Sequence, residues 1–140
     1  MALRGLRVVE LGCGLAVPSL VAARAGAEVL ATDACHEALE LVACNASANG
    51  VRVGTATVDW EQPAELVGQA PFDLVLAADV LYEDAAVAPL LSLLPRLAPE
   101  AWVADAGRPA ASEFLEQAVP RWTIETRVRG VVQLHRMRRR

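Results

Sequence analysis

The chain of 140 residues predicts an α/β fold, a Rossmann-like, doubly wound, mostly parallel seven-stranded sheet with a C-terminal antiparallel hairpin. Three observations lead there. Short β-branched runs alternate with longer helical segments from end to end, which calls for right-handed crossovers and a sheet covered on both faces. The most apolar runs, LRVVEL at 6–11 and FDLVLAA at 72–78, have the length of buried strands. The last two strand-like runs are separated by a turn at Gly130 and not by a helix, so they pair antiparallel.

Each element follows in order. The first strand, 6–11, ends at Gly12. Residues 15–25 are apolar for too long to be a strand and stop at Gly26, so they form a helix, with Pro18 tolerated only in its first turn. A second strand, 28–32, leads to Asp33. Helix 36–48 places Leu39, Val42, Ala43 and Ala46 at helical spacing and closes on Asn49-Gly50. Residues 51–58 (VRVGTATV) alternate as a strand and end at Asp59-Trp60, followed by a weak helix at 61–69. Strand 72–78 ends at Asp79. Helix 84–97 contains Pro89 and Pro95, which predict pieces or a kink. Strand 101–104, a helix over 111–118, and strands 122–128 and 131–137 complete one domain, residues 1–140.

Composition narrows the function. With 54% hydrophobic and 21% charged residues the chain is not disordered, and its apolar runs break well short of the ~20 residues that span a bilayer. No stretch reads as a signal peptide, so a soluble, cytoplasmic protein without a membrane partner is expected. Three cysteines without a C-x-x-C pair fit reduced thiols. His36 and His135 stand without ligand spacing, so no metal is expected. A net charge of -4 argues against a nucleic-acid partner. The basic cluster of Arg136 with 138–140 reads as a solvated tail, and the chain contains no lysine.

In an open α/β sheet, ligands bind beyond the carboxyl ends of the strands. Polar residues gather at that edge: Glu10 and Gly12-Cys13-Gly14, then Asp33, Asp59, Asp79 and Asp105, each at a strand end. One such carboxylate is commonly a helix cap; the recurrence points to a site. Gly-x-Gly lets the backbone approach a ligand, beside unpaired helix N–H groups. Asp33, some twenty residues on, is placed to accept both hydroxyls of an unphosphorylated ribose. A nicotinamide-dinucleotide oxidoreductase is disfavoured, because Val17 stands where the third glycine belongs and no hydride-site set follows.

The stretch VVELGCGLAVPSLVAARAGAEVLATD, with Asn45, Asn49-Gly50, Asp59-Trp60, LAADVLYE and the run Asp105-Ala-Gly107-Arg108-Pro109, resembles a class I, seven-strand S-adenosylmethionine-dependent methyltransferase. Within that fold it is similar to the bacterial group of the electron-transfer-flavoprotein β-subunit lysine methyltransferase, also called nicotinamide N-methyltransferase-like. The resemblance implies S-adenosylmethionine as cofactor, with Glu10, Gly12, Cys13 and Gly14 around its methionine part and Asp33 on the ribose. It implies Asp59 on the adenine amino group, Trp60 against the purine face, Ala77 or Ala78 beneath the cofactor, and Asp79 with Tyr82 at the acceptor slot. Ala16 takes the place of the third small residue of the first loop. The first strand starts within a few residues of Met1, so the N-terminal segment with which relatives close over the cofactor is expected to be absent. The implied reaction is methyl transfer to a nitrogen, either of a protein lysine or of a small nitrogen-containing molecule. A cofactor-binding module without turnover is the reading of a different class. Arg108 is open between an acidic group of the ligands and the surface.

Overall fold

The structure, a computed structural model, describes residues 2–140. Its strands are β1 (Arg7–Leu11), β2 (Glu28–Asp33), β3 (Gly54–Thr57), β4 (Leu74–Ala78), β5 (Glu100–Asp105), β6 (Trp122–Arg129) and β7 (Val132–Arg139). They form one seven-stranded sheet in the order β3-β2-β1-β4-β5-β7-β6. The first five run parallel; β7 pairs antiparallel with both β5 and β6. The doubly wound prediction and its closing hairpin describe this sheet.

Helices α1 (Val17–Arg24) and α2 (His36–Ala48) cover one face, where Ala22 packs with Val8, Val29 and Leu74, and Leu39 and Val42 pack with Ala31. On the other face lie α3 (Ala64–Gly68), α4 (Val87–Leu97) and α5 (Pro109–Ala118). There the alternate side chains of the central strands, Val9, Leu11, Val75 and Ala77, meet Leu66, the α4 leucines and Phe114 in the main core. The chain moves outward from β1 through β2 to β3, then crosses back to β4 on the other side of β1. The crevice of the fold therefore opens at the carboxyl ends of β1 and β4.

Several boundaries differ from the sequence prediction, and three of the shifts have a plain structural cause. Helix α1 begins at Val17, not Leu15, because Ala16 sits in the left-handed region at φ 60° and turns the chain once more before the helix. Strand β3 is confined to Gly54–Thr57: the Val51 amide donates to the Ala46 carbonyl and finishes the end of α2. Residues 84–97 divide into a 3-10 turn, Asp84–Ala86, and α4. Pro89 falls in the first turn of α4 and Pro95 in its last, so the helix continues to Leu97. No helix among the described residues is long and apolar enough to cross a membrane.

Candidate functional site

The β1–α1 turn is the foundation. Gly12, Gly14 and Ala16 all take positive φ (59°, 52° and 60°), so the chain winds tightly between the last buried strand residue and the first helical one. Side chains and backbone of β2 fasten it. Thr32 Oγ1 donates to the Glu10 carbonyl at 2.7 Å, and the Cys13 amide donates to the Thr32 carbonyl at 2.9 Å. At Gly12 a Cβ would fall 2.8 Å from Val80 Cγ1 and 3.7 Å from the Trp60 ring. Only glycine keeps that wall clear.

Beyond the turn lies a cleft of about 360 Å³, a size suited to a nucleoside-scale ligand. Gly12, Asp33, Asp59, Trp60, Asp79 and Tyr82 line it, together with Ala34, Val58, Glu61, Val80, Glu83, Ala85, Ala86 and Pro89. Six of the residues singled out from the sequence therefore share one cavity. Asp33 accepts from the Gly14 amide through Oδ2 and from the Cys35 amide through Oδ1, both at 2.9 Å. Each carboxylate oxygen has a second lone pair, so this cap leaves capacity for two further donors. Asp59 Oδ1 accepts from the Glu61 amide at 2.9 Å. Trp60 is half-buried and packs against the main core while lining the cleft, so it does both jobs. Asp79 is held at φ 55°, an uncommon conformation for a residue with a Cβ, and its amide donates to the Ala104 carbonyl at 2.9 Å.

Four expected site residues do not line the cleft. Glu10 is buried beneath α1, where its Oε1 accepts from the Ser19 amide at 3.0 Å and the Ser19 hydroxyl at 2.7 Å. Burial pushes its carboxyl up to about 7, against the lowering effect of the Ser19 hydrogen bonds and with a small further push from Asp33. Cys13 is buried too. Loss of solvent, then the charges of Glu10 and Asp33, raise its thiol to about 12, so it is an unreactive packing group. Gly14 donates its amide to Asp33 and is not among the residues that line the cleft. Ala78 ends β4 half-buried, one residue short of the cleft wall.

Asp105 departs furthest from the sequence reading, which set it with the other strand-end acids. Its side chain turns inward: Oδ2 meets His135 Nε2 at 2.5 Å and Oδ1 accepts from the Gly107 amide at 2.5 Å. His135, which the sequence left without a role, is the buried partner, and its Nδ1 lies 2.8 Å from Thr126 Oγ1. No motif spacing could have found it, since the pairing depends on the β5–β7 register. Arg108, left open by the sequence, reaches back so that Nε lies 3.2 Å from Asp79 Oδ1. Glu61 and Glu83 add acidity to the rim that the strand-end pattern did not show, because they follow the strand ends by several positions.

Sheet order, glycine turn and cleft together define the class I methyltransferase fold. Solved structures share it: PH0226 from Pyrococcus horikoshii OT3 superposes with a TM-score of 0.81 at 13% identity, over 98% of this chain and 83% of that one. A TehB-like SAM-dependent methyltransferase from Corynebacterium glutamicum gives 0.74 at 17% identity, over 98% and 82%. A family model described as lysine methyltransferase matches residues 1–117, and the chain belongs to that family. It is 36% identical over 102 residues to protein N-lysine methyltransferase METTL21A of Danio rerio, an alignment covering 68% of this chain and 45% of the relative. The chain thus spans about 45% of the length of this curated relative.

Proposed function

We propose that this chain binds S-adenosylmethionine in the cleft at the ends of β1 and β4 and directs methyl transfer to a protein lysine nitrogen. The observation that carries the reading is the convergence of Asp33, Asp59 and Trp60 on one cavity whose floor, at Gly12, admits no Cβ. The residues fit the cofactor's chemistry. Asp33 retains lone pairs for two ribose hydroxyls, Asp59 for the adenine amino group, and the Trp60 ring offers a flat face to the purine.

When bound, the cofactor supplies a methyl group on a cationic sulfur, already activated for in-line displacement. The chain's own work is alignment and exclusion of water. Asp79, on its strained backbone, faces the acceptor side with Tyr82, and its carboxylate attracts and orients a cationic side chain. That same negative charge favours the ammonium over the reactive free amine, so Asp79 serves as an anchor for the acceptor and for the cationic product, not as a strong base. Membership of the lysine methyltransferase family and the likeness to a protein N-lysine methyltransferase favour a protein lysine over a small nitrogen compound.

Calorimetry tests the cofactor half. S-adenosylmethionine should bind the wild-type chain, and Asp33→Ala should weaken it roughly tenfold or more, the scale of a lost charged hydrogen bond. Release of S-adenosylhomocysteine in a lysate containing the chain then separates turnover from binding alone. An Asp33→Ala variant that binds as tightly as wild type removes the ground for the reading.

A further inference from the structure

Six described polar or charged residues are buried. Glu10, Ser19 and Thr32 secure the β1–α1 turn, and Glu100 receives hydrogen bonds from Trp102 and Arg136. The remaining two, Asp105 and His135, do not line the cleft described above and lie away from the β1–α1 turn. A carboxylate only accepts, so His135 Nε2–H donates to Asp105, and Nδ1 shares a hydrogen bond with the Thr126 hydroxyl. With the Gly107 amide on the other carboxylate oxygen, this chain of bonds fixes the loop 105–107, with Gly107 at φ 79°. What that loop delivers is the next residue. Arg108 leaves a backbone held on one side by Asp105 and on the other by Pro109, the first residue of α5, and its guanidinium lies against Asp79.

We propose that Arg108 is a specificity-determining residue: it occupies the contact on Asp79 that an acceptor ammonium has to take. The inference rests on the reading of Asp79 as the acceptor anchor. Both partners are about half exposed, 48% for the Arg108 side chain and 61% for Asp79, so the pair is weak enough for an incoming cation to displace. A neutral acceptor gains no charge pairing from Asp79 and leaves the guanidinium where it is. Arg108 therefore competes with a cationic acceptor for Asp79 and sets how strongly such a cation must pair to be anchored. The Asp105–His135–Thr126 chain, buried at its first two members, is the positioning set that keeps the competing guanidinium in place at low entropic cost.

The test uses n-butylammonium, a lysine side-chain mimic, and n-butanol as its neutral counterpart, each titrated into the isotope-labelled chain while the Asp79 amide is followed by NMR. In Arg108→Gln the ammonium should bind up to about fivefold more tightly than in wild type, and n-butanol no differently. Adding Asp79→Asn to that variant should abolish the gain. His135→Gln should give part of the gain by loosening the loop. A merely structural role for Arg108 predicts a loss, so unchanged or weaker ammonium binding in Arg108→Gln overturns the proposal. Calorimetry with S-adenosylmethionine on the same samples keeps the two readings apart. Equal cofactor binding by wild type and Arg108→Gln with no ammonium effect defeats the competition at Asp79 alone, whereas no cofactor binding by wild type defeats the function proposed for the cleft.

Discussion

Glu10 shows how one buried acid couples the site's scaffold to pH. Its carboxyl is raised from 4.5 to about 7, chiefly by burial, so between those values the folded chain holds a proton that the unfolded chain has released. Stability from this group is full below about pH 4.5 and declines as pH rises through about 7. Glu10→Gln keeps an oxygen to accept from Ser19 but cannot ionise. Urea unfolding of both proteins across that range should show the variant gaining on wild type as pH rises, to a plateau on the order of 2–3 kcal/mol. A gap that stays constant with pH contradicts a proton held at this position. The sequence placed Glu10 at the strand end. Its inward turn was not legible, because the alternation that points it under α1 becomes a contact only once Ser19 lies above it.

At the scale of the element, the β1–α1 connection carries the heaviest demand on residue type. Gly12→Ala places a Cβ 2.8 Å from Val80 Cγ1 on a backbone at φ 59°, and a β-branched neighbour has little rotamer freedom to yield. The substitution should cost about 1–3 kcal/mol in chemical denaturation and reduce S-adenosylmethionine affinity in calorimetry, since any relief moves Val80 along the cleft wall. Full stability with full cofactor binding would show that the wall tolerates a side chain. Elements of this kind were readable in advance for a physical reason. Buried parallel strands are runs of apolar residues, and glycines mark where they stop, so β1, β2 and β4 stood out. The ends that shifted were set by partners remote in sequence. β3 pairs only across Leu30–Asp33, and Ala16 adopts its turn under constraints that no local propensity encodes. Likewise Gly12, Asp33, Asp59 and Asp79 were legible as strand-end residues, whereas His135 needed the antiparallel register of the hairpin to reveal it.

Across the whole molecule, the net charge of -4 is spread unevenly. Asp33, Asp59, Glu61, Asp79 and Glu83 all border one cleft, with Arg108 as the cation set against it. Elsewhere, Arg136 and Arg138 are paired with Glu100 and Glu125 on the hairpin side of the sheet. A cleft walled by carboxylates focuses a field that draws in positive charge, and that attraction acts on encounter more than on the bound state. Raising the ionic strength from about 0.1 M to about 1 M shortens the screening length from about 10 Å to about 3 Å, less than the width of such a cleft. Steady-state rates with a lysine-rich peptide acceptor should therefore show KM rising with salt while kcat holds nearly constant. Because the chain has no lysine, tritium from labelled cofactor that enters lysine can be counted in the peptide without a background from the protein itself. Salt-independent KM would mean that the acid rim plays no part in recruiting the acceptor. A falling kcat with KM unchanged would place the charge effect in the bound complex, at the Asp79 contact.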